Sequence, residues 1–262
     1  MSEQRVRIDR EHGGRVAVVT LTRPEKHNAL DRAMFDAIDA ATSQVRALAE
    51  AGELAAVVLR GDGKSFCSGL DIASVLGDGG GDFASATGAL LERRAGDLAN
   101  LVQRVGYHWR AVPVPVIAAL HGNVLGGGLQ IALGADLRIT APDAKLSIAE
   151  IRWGLIPDMG LTTALPRLIG IDHAKELTWT GRTISGEEAA RIGLVTRTAD
   201  DPSAAALALA GEIAGQSPLA VTRAKRLYDE VWEASDADRL ATEERLQREI
   251  LAAVAAAGAA AQ

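Results

Sequence analysis

Two five-residue runs, Ala55–Leu59 and Val116–Leu120, contain only apolar side chains, and each leads within two residues to a glycine. A strand of this kind has no face to give to water. It must be covered on both sides, as in a parallel sheet packed between helices. Val16–Leu21, rich in β-branched residues, predicts another strand. Met34, Ile38, Ala41, Val45 and Leu48 recur at helical spacing, predicting a helix capped by Asp31 and closed by Gly52. Gly61–Leu76 reads as a turn and a short helix, and Leu98–Trp109 as a helix that ends before Pro113. A helix is expected over Leu129–Leu133, a strand over Asp136–Thr140, and mainly helix from about Asp172 onward. This alternation of strands and helices is that of an α/β fold. Gly77–Gly81 and the stretch to about Gly96 read as a mobile insertion that gates a site, and the alanine-rich Leu251–Gln262 as a frayed end.

Composition narrows the function. A chain of 262 residues, 48% hydrophobic and 24% charged, buries a sizeable core. Its net charge of -6 disfavours a nucleic-acid partner, which requires clustered Lys and Arg. A single cysteine, Cys67, cannot form an intramolecular disulfide or a cysteine-based zinc site. The five histidines lack metal-ligand spacing, so no metal is expected. Met1–Arg10 carries no apolar leader, and no apolar run approaches the length of about 20 residues that crosses a bilayer. The expected compartment is the cytoplasm, with no membrane partner.

Several motifs fail on register. Gly63-Lys64-Ser65 resembles the end of a phosphate-binding loop, but the glycine required five positions earlier is Val58. Gly126-Gly127-Gly128 follows a strand, but the last glycine of a dinucleotide fingerprint falls on Ile131. Ser65 and Ser68 flank Cys67 without a nucleophile-elbow pattern. What remains is chemically simpler. Consecutive glycines at a strand-to-helix junction leave a backbone N–H open to a ligand oxygen, and the helix start adds positive partial charge. A second such donor is available in Ser65–Asp71, another turn of small residues. Two donors of this type make an oxyanion hole. The alternative is that both are merely tight turns.

Taken together, the motifs make the chain resemble the crotonase superfamily, the enoyl-CoA hydratase/isomerase family. Those that carry the resemblance are RPEKHNAL (23–30), KSFCSGLDI (64–72), VIAALHGNVLGGGL (116–129), ADLRI (135–139), the segments 150–157 and 165–170, and LTWTGRTISGEEAARIGLV (177–195). They occur in family order over roughly residues 5–230. The resemblance implies a spiral of ββα repeats over residues 1–195, followed by a helical trimerisation region over 196–262. It implies homotrimers, often paired as hexamers, and an acyl-CoA thioester as ligand, with coenzyme A part of the substrate and no separate cofactor. By position, the N–H groups of Cys67 and Gly127 would form the oxyanion hole, with the Cys67 thiol an inert buried side chain. Cys67, Ser68, Gly69 and Leu70 would line the thioester, with Lys26 and Asp71 near the CoA moiety.

The catalytic acids depart from the hydratase pattern. Hydratases of the family carry two glutamates, at positions that here hold Gln130 and Glu150. Gln130 can orient water or substrate but cannot exchange a proton at neutral pH. Adding water needs both a group that activates water and a proton source, whereas moving a double bond can be done by one carboxylate. The family's Δ3,Δ2-enoyl-CoA isomerases resemble this arrangement. Asp158 stands where the dienoyl-CoA isomerases of the family carry an aspartate, and can also be read as a helix cap. Double-bond isomerisation by Glu150, with Asp158 as a possible partner, is therefore favoured. A hydratase using Glu150 alone and a non-catalytic acyl-CoA binder are the rivals. His121 reads as structural, and Trp153 and Ile156 as core or acyl-pocket residues.

Overall fold

A computed structural model describes residues 4–76, 88, 90–93 and 95–260. Most of the expected mobile insertion lies outside these residues. β1 (Val6–Glu11), β2 (Val16–Leu21), β3 (Ala56–Gly61), β4 (Val116–Leu120), β6 (Leu137–Thr140) and β9 (Arg197–Thr198) form a six-stranded sheet in the order β1-β2-β3-β4-β6-β9. Only the β1–β2 pair is antiparallel; every later neighbour is parallel. All residues of β2 and β4 are buried, as their composition demands.

A second, three-stranded sheet joins β5 (Asn123–Leu125), β7 (Lys145–Ser147) and β8 (Ile184–Ser185). Parallel bridges Cys67↔Val124 and Leu30↔Leu70 extend it towards the N-terminal half. Successive passes of the chain thus place one strand in the large sheet and a shorter segment in the small one, with helices between. This is the α/β spiral of repeats expected from the resemblance.

α1 (Arg32–Glu50) turns Met34, Phe35, Ile38, Ala41, Val45 and Ala49 inward, and Asp31 caps it by accepting the Met34 N–H at 2.7 Å. After α2 (Ile72–Leu76), α3 is shorter than expected, Leu101–Tyr107, because Asn100 and Gln103 form a reciprocal capping box at its start. A 3-10 turn over His108–Ala111 then finishes it before the prolines. α4 (Gly127–Leu133) begins two residues earlier than expected. Gly126 adopts φ +51°, a left-handed conformation that glycine reaches without a Cβ penalty, so the helix can start at the next residue.

Further along the chain come α5 (Leu161–Ala164), α6 (Ile171–Thr180), α7 (Gly186–Arg191), α8 (Pro202–Ala214), α9 (Pro218–Val231) and α10 (Asp236–Ala260). The segment after residue 195 packs on the large sheet. β9 completes the large sheet, and Ala206, Ala210 and Ala214 of α8 pack on its β2, β3 and β4 side chains. The expectation of a frayed end from Leu251 is corrected, since α10 continues to Ala260. Alanine has the highest helix propensity, and α10 gains support from α9 through Arg223–Glu249 and Arg245–Glu230.

Candidate active site

The motif around residues 23–31 holds the rim of the site together through buried polar groups. Asn28, at φ +55°, accepts the Arg23 N–H and donates to the carbonyls of Asp62 and Ser65. The Arg23 guanidinium, almost wholly buried, reaches Asp71 at 2.8 Å. Asp71 also caps α2 by accepting the Ser74 N–H. Burial acts upward on the Asp71 carboxyl, but Ser74, Arg23 and, more weakly, Lys26 outweigh it and hold it below its ordinary value. Asp71 is thus committed to anchoring the 67–71 turn and does not line the cavity described below. Lys26 stands exposed at the outer edge of this turn, where its carbonyl accepts the Ser68 hydroxyl. His121 bonds the Gly63 carbonyl and takes no part in the cavity wall.

A cavity of about 750 Å³ opens between this turn, α3, the start of α4 and the loop after β7. Its wall is mostly apolar, with Leu30, Phe35, Leu70, Val102, Leu155 and Met159 among the contributors. Trp153 and Ile156 stand at its edge, 62% and 74% exposed. Ser68, Gly69, Leu70 and Gly127 line it.

Cys67 does not line it, and its expected role as a backbone donor is corrected. Its N–H donates to the Asn123 carbonyl at 3.0 Å as part of the bridge to β5, and the residue is fully buried. The donor on this turn is three residues on. The Leu30↔Leu70 bridge uses the Gly69 carbonyl and the Asp71 N–H, so the Leu70 N–H is left on the opposite edge. Among the described residues neither it nor the Gly127 N–H has an acceptor. A Cβ built on Gly69 would sit 3.6 Å from the Gly127 nitrogen, so the two donors share one corner of the cavity. Sequence reading missed this because alternation of N–H direction along a bridged turn depends on which residues pair, and the pairing is long-range.

Burial pushes the Cys67 thiol up to about 12, against the Gly69 N–H it accepts. A thiol that stays protonated is a poor nucleophile. We therefore expect the native protein to resist a thiolate-directed alkylating agent at neutral pH, with full labelling after denaturation. Mass spectrometry of the two samples checks this.

Two acids and one amide complete the site. Glu150 opens a 3-10 turn (Glu150–Trp153) just after β7 and faces α4. Its Oε1 accepts from Gln130 Nε2 at 2.7 Å, while Gln130 Oε1 accepts the Met159 N–H at 2.8 Å. Glu150 Oε2 is buried without a hydrogen-bond partner. Burial raises the pKa of Glu150; nearby N–H groups and Gln130 oppose this, and the negative charge of Asp158 reinforces it. Asp158 also lines the cavity and keeps surface exposure, yet partial desolvation pushes its carboxyl upward too. The fold therefore brings Gln130, Glu150, Asp158 and Gly127 together, and leaves Cys67, Lys26 and Asp71 in supporting positions. Among the described residues no cluster could hold a metal ion.

The family model described as enoyl-CoA hydratase/isomerase matches residues 11–257. The mouse mitochondrial Δ(3,5)-Δ(2,4)-dienoyl-CoA isomerase is 36% identical over 214 residues, 79% of this chain and 63% of that protein. A short-chain-enoyl-CoA hydratase from Clostridium acetobutylicum is 34% identical over 219 residues, 82% of this chain and 78% of that protein. The crystal structure of an enoyl-CoA hydratase from Bacillus anthracis superposes with a TM-score of 0.82 at 29% identity, covering 95% of this chain and 91% of the other.

Proposed function

The chain belongs to the enoyl-CoA hydratase/isomerase family and acts on acyl-CoA, and from this premise we propose that it moves a double bond along the acyl chain rather than adding water to it. One observation carries this reading. Where the hydratase pattern has two glutamates, the cavity presents one, Glu150, with an amide bonded to it. The reaction then runs through a single base. Glu150 Oε2 removes a proton from the α-carbon of a 3-enoyl thioester, and the C–H electrons form a dienolate. The Leu70 and Gly127 N–H groups hold its oxygen, and losing one such donor typically costs about 10²–10³ in rate. The proton returns at the γ-carbon, leaving the double bond conjugated with the thioester. Asp158 supplies a second acid for a longer conjugated shift, as the name of the mouse relative describes for that protein.

The apolar wall takes the acyl chain, and Lys26, exposed at the outer edge of the 67–71 turn, is assigned to the CoA phosphates on charge alone. No cofactor beyond the coenzyme A of the substrate is required. Exposed Tyr228, Leu240, Leu251 and Val254 on α9 and α10, with Trp232 just after α9, support a homotrimer, singly or paired as a hexamer, in which these helices are covered. The hydratase reading has its own support in the name of the Clostridium relative.

The test is a product assay on a 2-trans-enoyl-CoA, a 3-enoyl-CoA and a 3,5-dienoyl-CoA. Conversion of either of the last two, without hydration of the first, is expected. Hydration of the first alone would replace this reading with the hydratase, and binding without turnover with the non-catalytic binder. A finer expectation concerns pH. The base must be deprotonated to act, so the acid limb of the rate profile lies above the ordinary carboxylate range. Asp158→Asn removes a charge that raises the Glu150 pKa, so the limb moves to lower pH. An unmoved limb would show that the two acids are not coupled.

A further inference from the structure

Gln130 stands where the hydratase pattern has an acid, and its hydrogen bonds give it a definite task. It is almost fully buried in α4 and bridges two elements that bear on the reaction. Its Oε1 is taken by the N–H of Met159, the residue after Asp158; its Nε2 donates to Glu150 Oε1. The orientation of the amide follows from chemistry. Turned over, it would set two acceptors at 2.7 Å and two N–H donors at 2.8 Å, so the Met159 N–H makes the Glu150-facing atom a donor. An amide has no basic atom at neutral pH, so Gln130 cannot take a proton from an attacking water. The two oxygens of Glu150 are thereby made unequal: Oε1 is occupied and Oε2 is buried without a partner beside the cavity.

We propose that Gln130 is a positioning residue that pins Oε1 of Glu150, so that Oε2 alone lifts the proton from one carbon and sets it down on another. This rests on the isomerase reading for its second half, and on the geometry alone for its first. A single shielded oxygen exchanges its proton with solvent slowly, so part of the transferred hydrogen is the one that was removed. Freeing Oε1 gives the carboxyl a second orientation and a route to exchange.

Two nearly isosteric variants separate the roles. Gln130→Met removes both hydrogen bonds. Gln130→Glu keeps an acceptor for the Met159 N–H but, when ionised, cannot donate to Glu150. Infrared titration of the carboxyl band, with the Glu150→Gln spectrum subtracted, reads the first half without needing turnover. Gln130→Met is expected to move the Glu150 midpoint to higher pH, because a donor that favours the anion has gone. Gln130→Glu is expected to titrate in two steps, as two close carboxyls share one proton. Midpoints unchanged in both folded variants would overturn the proposal.

The second half is read with a 3-enoyl-CoA deuterated at the α-carbon. The expected result is deuterium carried to the γ-carbon by the native enzyme and a several-fold smaller carried fraction in Gln130→Met. An equal fraction in both would refute the single-oxygen transfer. Shifted midpoints in a protein that isomerises nothing would uphold the pinning of Oε1 and reject the isomerase reading instead.

Discussion

Glu150→Gln is expected to lower isomerisation of a 3-enoyl-CoA by about 10²–10⁴-fold, the usual worth of a positioned general base, while acyl-CoA binding stays near that of the native protein. The substitution is almost isosteric, and a carboxamide oxygen can still accept the Gln130 Nε2–H that Oε1 accepts now. It replaces the unpartnered Oε2, the atom assigned to the proton, with a group that cannot take one at neutral pH. The cavity wall and the Leu70 and Gly127 N–H groups are untouched, so binding energy survives. Rate and thioester affinity should be measured on the same preparation. A parallel loss of both would mean that Glu150 holds the site together, and an unchanged rate would move the base to Asp158.

The second large effect comes from a residue with no functional group. A Cβ on Gly128 would lie 2.4 Å from the Cys67 carbonyl oxygen and 2.8 Å from the Cys67 Cβ. The carbonyl belongs to the bridge that accepts the Leu125 N–H, so it has no rotamer by which to yield. Gly128→Ala must therefore push α4 away from the 67–70 turn. Overpacking of this kind costs about 1–3 kcal/mol of stability. It also separates the Gly127 N–H from the Leu70 N–H, and a displaced oxyanion donor costs about 10²–10³ in rate. Gly127→Ala is the control, because its Cβ would meet Met159 Sδ and Leu30 Cδ1, the ends of flexible side chains. Thermal melting and steady-state rates should show Gly128→Ala as the more damaging. The reverse order would place the tight contact elsewhere.

The second expectation traces to the glycine triplet, which reads differently at two levels. As a string it shows three positions without side chains where a strand becomes a helix. In the fold each glycine has its own reason. Gly126 takes a left-handed conformation next to the Glu150 carboxylate, Gly127 presents its N–H to the cavity, and Gly128 lies against the backbone of Cys67. No spacing rule distinguishes them, because the atoms they avoid belong to Glu150, Met159, Leu30 and Cys67, none of them near the triplet in sequence.

The sequence by itself determined the α/β class, because all-apolar strands such as Val116–Leu120 are stable only when covered on both faces. It determined the capped start of α1 at Asp31, a matter of local hydrogen bonding within one turn. The motifs in order also pointed to the family, and to Glu150 as the single acid of the hydratase pair. The tertiary structure alone decided the rest. It assigned the turn's free N–H to Leu70 rather than Cys67, since that depends on which residues of Leu30, Asn123 and Leu125 pair with the turn. It gave Gln130 its partners, since an amide can donate or accept until Met159 fixes which end faces Glu150. It extended α10 through the alanine tail, beyond the ion pairs to α9 that end at Glu249. Local propensity is written in neighbouring residues, whereas hydrogen-bond direction at a site is set by atoms that only folding brings within 3 Å.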